Sequence, residues 1–273
     1  MSVHLPSLFS PNRAQQLLAF DRLLTIMDDL REKCPWDQKQ TMESLRHLTI
    51  EETYELSDAI LANDLNEIRK ELGDIMLHLV FYARIASESD TFDIGDVLNG
   101  ICDKLIARHP HIYGDTVVQN EEDVKRNWEQ LKLKEGNKSV LSGVPASLPA
   151  LIKAMRMQEK ARGVGFDWDD KTQVWAKVEE ELGEFKAYIQ PENGQITDLD
   201  RAESELGDLL FSLVNYARFA QINPETALER TNLKFKSRFQ FLEEKAREAG
   251  RDLSDMTLAE MDVFWEEAKK IAP

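Results

Sequence analysis

The sequence predicts an all-α protein made of two tandem copies of a four-to-five-helix bundle. Apolar residues recur at helical spacing between cap-like residues along most of the 273-residue chain. No stretch shows the sustained apolar-polar alternation that is typical of a half-buried strand. In addition, one ordered series of motifs occurs twice, and a series that repeats in order indicates duplication of a structural unit.

The repeated series starts with acidic pairs at i,i+3 spacing, which places each pair on one helix face with Cβ atoms about 5–6 Å apart. The second-half residues are Glu181, Glu184, Glu205 and Asp208. The first-half residues are Glu52, Glu55, Glu71 and Asp74. Because the chain has 50 acidic residues, one such pair alone would be interpreted as a solvated helix face.

The series continues in both halves with an arginine ten positions after the aspartate, then a basic pair and a Trp-Lys pair, each spaced by four. In the first half these residues are Arg84, Lys104, Arg108, Trp128 and Lys132. In the second half they are Arg218, Lys234, Arg238, Trp265 and Lys269. A solvated surface has no reason to keep this order twice, so the repetition favours a functional interpretation.

Helix boundaries in the first half follow from caps and breakers. The break at 34–37 ends the first helix, Asn63-Asp64 ends the second, Asp93 caps the fourth, and Pro110 lies in the segment that stops it. Three acidic residues at 121–123 suit the positive N-terminus of a fifth helix. We therefore expect helices at about 11–32, 41–62, 65–87, 94–108 and 121–132.

A Gly-, Asn-, Ser- and Pro-containing segment at 135–149 is expected to link residues 1–134 to a second domain at 150–273. Within that domain, Asn223-Pro224 is a typical helix start, and Thr257 with Glu260 fits a capping box. A loop at 163–170 contains Trp168-Asp169, which is similar to Trp36-Asp37. Second-domain helices are expected at about 149–162, 171–189, 199–221, 224–249 and 257–271.

Composition limits the partners of the chain. A formal net charge of −16 and a pI of about 4.8 argue against nucleic acids and anionic membrane surfaces as partners. Only two cysteines, Cys34 and Cys102, are present without metal-ligand spacing, which favours a reducing, cytoplasmic setting. We see no signal peptide and no membrane-spanning segment in the sequence.

Four converging carboxylates need a cation, and hard oxygen ligands favour Mg²⁺, with Mn²⁺ as a second choice. The two halves differ in nearby cations. Lys177 lies one turn before Glu181, where the first half has Leu48; Arg201 lies one turn before Glu205, where the first half has Glu67. With a basic pair for phosphate and a tryptophan for a flat ring, the second half is interpreted as the working nucleotide site.

The doubled Glu-Glu-x-x-Glu and Glu-x-x-Asp pattern resembles the MazG family of all-α nucleoside triphosphate pyrophosphohydrolases. Further matching motifs are Cys34-Pro-Trp-Asp37, Arg108-His-Pro-His111, Asn127-Trp-Glu129 and Val164-Gly-Phe-Asp-Trp168. Together they cover nearly the whole chain. The main departure is Ser204, where another acid is expected; it removes no metal ligand.

The resemblance implies Mg²⁺-dependent hydrolysis of nucleoside triphosphates, ATP included, to monophosphate and pyrophosphate, with broad base tolerance and chiefly in the second domain. It implies a homodimer as well. The metal ligands would be Glu181, Glu184, Glu205 and Asp208, with a second candidate site at Glu52, Glu55, Glu71 and Asp74. The nucleotide would contact Lys177, Arg201, Lys234, Arg238, Trp265 and Lys269. Glu180 or Glu181 would serve as general base.

Two other functions remain as alternatives. A non-enzymatic helical scaffold or regulatory protein with a metal-binding acidic cluster would predict no Mg²⁺-dependent turnover. A di-iron carboxylate bundle would need Glu-x-x-His motifs, which this sequence lacks. His78 is expected to be a buried, hydrogen-bonded residue, and His109 and His111 are expected to belong to a helix stop.

Overall fold

The computed structural model describes residues 11–120, 123–124, 127–128, 131, 139–189 and 198–271. Over these residues the structure consists of helices and turns without strands, which confirms the all-α prediction. The chain divides into two compact units, Met1–Thr116 and Val117–Pro273. The sequence-based division at 135–149 stays a prediction. Within the described ranges, no helix is long and apolar enough to cross a membrane.

Over residues 11–116, the first unit contains the 3₁₀ turn Asp37–Lys39 and five α-helical segments: three long helices, a shorter one and a single turn. They are α1 (Pro11–Lys33), α2 (Met42–Ala62), α3 (Leu65–Ser87), α4 (Ile94–Arg108) and α5 (Pro110–Tyr113). Thr41 caps α2 in a capping box with Ser44, and Asp93 does the same for α4. Asn63 ends α2 with a φ of 55°, a left-handed conformation that asparagine tolerates.

The core of the first unit lies where α1, α2 and α3 meet. Met27, Leu45, Val80 and Phe81 are each no more than 2% exposed. Two polar contacts fix the helices around this core: Arg31 Nε lies 2.6 Å from Glu88 Oε1, and the hydroxyls of Thr49 and Tyr82 lie 2.7 Å apart. This packing holds α2 against α3, so their acidic residues face the same cleft.

Over residues 139–189 and 198–271, the second unit contains two 3₁₀ turns and five α-helices. The turns are Val140–Gly143 and Leu253–Asp255, and the helices are α6 (Ala150–Gly163), α7 (Lys171–Ile189), α8 (Leu199–Phe219), α9 (Pro224–Glu248) and α10 (Leu258–Ile271). Asp198 accepts a hydrogen bond from the backbone N–H of Arg201 at 3.1 Å and thereby starts α8. Asn223 does the same for α9 through the N–H of Thr226.

Two helix pairs organise the second unit. Val174 and Val178 on α7 are buried, as are Ala202 and Leu209 on α8, and the rings of Trp175 and Tyr216 pack edge to face at 4.8 Å. The pair α9 and α10 buries a second set of residues. These are Leu242, Ala246 and Ala268. The α7–α8 pair is the counterpart of α2–α3 and carries the second set of acids.

The predicted helix boundaries agree with the structure to within about two residues where the two can be compared. The Thr257–Glu260 capping box is confirmed, with the Thr257 N–H 2.8 Å from Glu260 Oε2. The 3₁₀ turn at Val140–Gly143 was not predicted, because the whole segment was assigned to a linker. Of the helix expected at 121–132, residues 123, 124, 127, 128 and 131 are helical, and the others lie outside the described residues.

Candidate functional site: two carboxylate clusters

The α7–α8 pair brings three of the four predicted second-half acids together. One carboxylate oxygen from each of Glu181, Glu184 and Glu205 lies within 4.8 Å of the others. Glu181 is only 7% exposed, so its carboxylate is largely removed from water. The i,i+3 spacing on α7 supplies two oxygens, and the antiparallel neighbour α8 supplies the third, as the sequence pattern predicts.

Asp208 is not part of this close group, but it acts on it electrostatically. Desolvation raises the pKa of the Glu205 carboxyl, and the charges of Glu184 and Asp208 raise it further. Repulsion of this kind is expected where carboxylates share a site without a bound cation. The fourth acid therefore lies near enough to add negative charge to the cluster.

Lys177 supplies positive charge directly to the second cluster. Its Nζ lies 2.7 Å from Glu181 Oε1 and 2.9 Å from Glu180 Oε1. The hydrogen bond to Glu180 is the largest cause of the raised pKa of the lysine, followed by the hydrogen bond to Glu181. The sequence spacing, one helical turn between Lys177 and Glu181, placed this residue correctly next to the carboxylates.

Arg201 is held at the start of α8. Its Nε lies 3.3 Å from Asp198 Oδ2, and its pKa is raised first by a hydrogen bond to Tyr188 and only last by the charge of Glu205. The arginine is well exposed, with 69% of its side chain accessible. It is therefore near the cluster without forming an ion pair with its three carboxylates.

The other predicted nucleotide contacts lie on α9 and α10. The Trp265 ring packs against Phe235, with 5.1 Å between centroids, and Lys269 pairs with Glu266. Lys234 is exposed on α9, and Arg238 is partly buried. The structure thus groups these residues on one helix pair, and Phe235 and Glu266, which contact Trp265 and Lys269, belong to the same pair.

The first unit repeats the cluster with different electrostatics. Oxygens of Glu52 and Glu55 on α2 and of Glu71 on α3 lie within 4.8 Å of one another. Desolvation is the largest cause of the raised pKa of all three carboxyls, and neighbouring acids, Asp74 among them, add to it. Glu71 is 8% exposed, and its Oε2 is buried without a hydrogen-bond partner.

The remaining predicted first-half residues lie on α4 or farther along the chain. Lys104 is exposed on α4 and Arg108 is partly buried at its end. Trp128 falls in the second compact unit, and Lys132 lies outside the described residues. The expected association of these residues with Glu52, Glu55 and Glu71 stays a prediction.

Histidine does not take part in either cluster. His78 is buried as expected, and its Nδ1 has no hydrogen-bond partner among the described residues, so the expected hydrogen bond is absent at this nitrogen. Burial lowers the pKa of His78, although the charge of Asp74 opposes this effect. His109 contacts the carbonyl of Leu105 at the end of α4. Within the part of the chain that the structure describes, the candidate metal groups contain only glutamates.

Both clusters fit a hard divalent cation. Each offers three carboxylate oxygens that are close enough to share one ion, and oxygen donors of this type suit Mg²⁺ and Mn²⁺. The unpartnered buried oxygen of Glu71 is the strongest single indication, because a buried carboxylate oxygen without a donor is unfavourable unless a cation binds it.

Sequence reasoning missed two features of the second unit. Arg218 was recognised as part of the repeat, but its partner was not: the guanidinium forms a two-pronged ion pair with Asp167, 51 residues away. Gln158 is buried against α8, where its Nε2 donates to the carbonyl of Phe211 at 2.8 Å. The Val164–Trp168 motif identified this loop in the sequence. Its contacts with α8 depend on tertiary packing and could not be identified in the same way.

The fold and the clusters define a class of protein: tandem all-α bundles with paired carboxylate sites. The model of the MazG nucleotide pyrophosphohydrolase domain matches the chain twice, at residues 40–113 and 170–240, which is more than half of it. The chain therefore belongs to the MazG family. The two matched regions contain the two carboxylate clusters.

Three relatives illustrate the similarity. The nucleoside triphosphate pyrophosphohydrolase of Escherichia coli (strain K12) is 40% identical over 92% of this chain and 97% of its own length. The nucleoside triphosphate pyrophosphohydrolase/pyrophosphatase MazG of Thermotoga maritima is 41% identical over 92% of this chain and 96% of its own. The YabN protein of Bacillus subtilis (strain 168) is 43% identical over 98% of this chain, which spans 55% of that relative.

Proposed function

We propose that this chain is a nucleoside triphosphate pyrophosphohydrolase that uses Mg²⁺, with Mn²⁺ as a substitute, and acts chiefly in its second unit. The products would be a nucleoside monophosphate and pyrophosphate, and several bases, adenine in ATP included, would be accepted. Relatives of nearly the same length that carry this enzyme name support the reaction class. The metal, the base tolerance and the location in the second unit are our own inferences.

The observation that carries this proposal is the contact between Lys177 and a three-carboxylate cluster. Glu181, Glu184 and Glu205 would hold the metal, with Asp208 as a fourth acid. Lys177 already touches Glu181, so a phosphate bound to the same metal would lie within reach of the ammonium group. Arg201, Lys234, Arg238 and Lys269 would add further positive charge for the phosphates, and Trp265 a ring surface.

When bound, Mg²⁺ would polarise a phosphoryl oxygen and lower the pKa of a coordinated water. Glu180 is the better placed of the two candidate general bases, because it lies beside the cluster without being one of its three members. Its Oε1 accepts a hydrogen bond from Lys177, which orients the carboxylate. In this role Glu180 would take up the proton of the attacking water, and Lys177 would balance the charge of the departing pyrophosphate.

The first cluster supports a second candidate function in the same molecule, a structural or regulatory metal site. Its three carboxyls are close and desolvated, and none of them forms an ion pair with a lysine or arginine among the described residues. A non-enzymatic protein would use both clusters in this way. The positive charge at Glu181 is what favours catalysis in the second unit.

A homodimer follows as part of the proposal. On α8, Leu206, Leu210 and Leu213 lie at i, i+4 and i+7 and are 39–49% exposed. Their counterparts on α3 are exposed to a similar degree; they are Leu72, Met76 and Leu79. Exposed apolar stripes of this kind indicate a surface that is buried against another protein. The two free cysteines suit a reducing cytoplasm, which we propose as the location.

The test is product analysis with a panel of nucleoside triphosphates, with Mg²⁺ and with excess chelator. We expect monophosphate and pyrophosphate only when metal is present. Glu181→Gln should lower turnover by about 1,000-fold or more, since it removes a metal ligand, whereas Glu52→Gln should leave most turnover intact. Diphosphate and orthophosphate as products, or equal loss in the two variants, would refute the proposal as stated.

A further inference from the structure

Two histidines, His109 and His111, form a ring pair at the corner between α4 and α5. Their ring centroids are 5.6 Å apart, and the ring planes are tilted by 54°. Both residues are partly buried. In a tetrahedral site with Zn–N distances of about 2.0–2.1 Å, two imidazole rings that bind one ion have centroids about 5–6 Å apart. The spacing of this pair therefore suits a shared metal ion.

A hydrogen bond fixes the tautomer of one of the two rings. His109 Nδ1 lies 2.6 Å from the carbonyl oxygen of Leu105, one turn earlier on α4. Because a carbonyl oxygen can only accept, Nδ1 carries the hydrogen, and in the neutral ring Nε2 keeps an unshared electron pair. A ring nitrogen that donates to a backbone carbonyl while the other coordinates is typical of histidines that bind metals.

The backbone of the corner holds the two rings in a defined arrangement. The carbonyl of His109 accepts from the N–H of Ile112 at 2.9 Å and from the N–H of Tyr113 at 3.0 Å. The carbonyl of Pro110 accepts from the N–H of Thr116 at 3.3 Å. Pro110 also restricts its own backbone and that of the residue before it. Ligands that are positioned before binding lose less conformational entropy when an ion binds, which favours affinity.

The chemistry of this pair differs from that of the carboxylate clusters. Imidazole nitrogens suit Zn²⁺, Cu²⁺ and Ni²⁺, whereas Mg²⁺ prefers oxygen ligands. Arg108 immediately precedes His109 and adds positive charge next to the pair. This charge disfavours an ion that is held mainly by negative charge, and it leaves the ring electron pairs as the source of affinity.

The second half of the repeat has other residues at these positions. His109 and His111 follow Arg108 by one and three residues, and Phe239 and Phe241 follow the counterpart Arg238 by the same distances. Residues 117–273 contain no histidine. Phenylalanine supplies a ring for packing but no metal ligand. Exchange for phenylalanine therefore separates a metal-binding role of the histidines from a packing role.

We propose that His109 Nε2 and one ring nitrogen of His111 bind a divalent transition-metal ion of the kind that prefers imidazole. Two protein ligands leave the remaining positions to water, and the ion would tie the end of α4 to α5. This site is separate from the glutamate clusters, and the inference does not depend on the proposed function.

NMR of the histidine rings tests the site, with Zn²⁺ as the probe and excess Mg²⁺ to supply the carboxylate clusters with a hard cation. Before Zn²⁺ is added, proton–nitrogen correlation spectra should show His109 as the tautomer that is protonated at Nδ1. Zn²⁺ should then shift the ring signals of His109 and His111 with one common Kd. The signals of His47, which is exposed on α2, should not change.

Two variants give each ring its counterpart from the second half, His109→Phe and His111→Phe. We expect each to weaken Zn²⁺ binding at the remaining histidine about 10-fold or more, since one of the two ligands is lost. His47→Phe, the same substitution at an exposed site, is the matched control and should leave the Kd unaltered. His109→Phe also removes the hydrogen bond to Leu105, so His111→Phe is the more direct test.

The proposal would be overturned if His109 were protonated at Nε2 and not at Nδ1 in the metal-free protein, or if Zn²⁺ left both ring signals unchanged. It would also be overturned if His111→Phe bound Zn²⁺ at His109 as tightly as the wild type does. The two rings would then not share an ion, and their contact would serve packing alone.

Discussion

The two carboxylate clusters are nearly the same in geometry and differ in charge balance. Each joins an i,i+3 pair of glutamates on one helix to a glutamate on the next, and each fits within 4.8 Å. In the second cluster, Lys177 contacts Glu181 at 2.7 Å. In the first, the matching position is Leu48, and the pKa values of all three carboxyls are raised.

We propose that this one difference in a duplicated scaffold separates two functions. In the first cluster a bound metal would be the main source of positive charge, so metal binding there should be tied to stability. In the second cluster Lys177 already balances part of the charge, and under the proposed function it would contact an anionic substrate once a metal replaced it at Glu181. The comparison therefore predicts a metal-dependent fold in one unit and substrate chemistry in the other.

The largest effect that would sharpen this comparison comes from removing the lysine. We expect Lys177→Met to lower kcat/KM for a nucleoside triphosphate about 100-fold, because a charge next to the transferred phosphates is lost. Lys177→Arg should retain more activity than Lys177→Met. Lys186→Met, an exposed change on the same helix, is the control, and an equal loss in Lys177→Met and Lys186→Met would disprove a specific role for Lys177.

The repeated arginine offers a second comparison between the units. The Arg218 side chain is 9% exposed and pairs with Asp167, whereas Arg84 is 29% exposed and pairs with the well-exposed Asp28. Arg218→Ala removes the two-pronged partner of Asp167, whose side chain is 20% exposed and keeps only a longer contact with Arg162 at 3.6 Å, so we expect a loss of about 2 kcal/mol in the free energy of unfolding. Arg84→Ala should cost about 1 kcal/mol or less. Chemical denaturation followed by circular dichroism measures both, and equal losses would contradict the difference in burial.

The pH dependence of the melting temperature tests the difference in charge balance between the two clusters. A carboxyl whose pKa is raised in the folded state favours folding at low pH, and its contribution is lost as pH rises through the raised pKa. In the presence of a metal chelator, we therefore expect the melting temperature to fall as pH rises from about 4.5 towards neutrality. Addition of Mg²⁺ or Mn²⁺ should reverse this fall.

Glu55→Gln and Glu184→Gln are the matched variants for this measurement. Glu55→Gln should weaken the dependence of the melting temperature on pH more than Glu184→Gln does, because the pKa of Glu55 is itself raised and the first cluster has no counterpart of Lys177. The opposite ranking would show that repulsion between carboxylates is not stronger in the first cluster than in the second. A melting temperature that rises over this pH range in the presence of chelator would show the same.

Local sequence information was enough for the helices and for most of each cluster, since helix caps and i,i+3 spacing depend on neighbouring residues. It predicted the contact of Lys177 with Glu181, one turn away on the same helix. It could not predict that Asp167 pairs with Arg218, or that Gln158 is buried against α8, because these contacts join segments more than 50 residues apart. It also could not predict that Trp265 packs against Phe235.

The smallest expected effect concerns Arg201, which the first unit replaces with Glu67. Asp198 both caps α8 and pairs with Arg201, at 3.3 Å from its Nε. Asp198→Asn keeps a side-chain oxygen for the cap but removes the charge that competes with phosphate for the guanidinium. We expect KM for a nucleoside triphosphate to fall about two- to three-fold. Asp64→Asn, the same change at the cap of α3, should leave KM unaltered. A fall in KM in both variants would mean that the effect arises from overall charge and not from the release of Arg201.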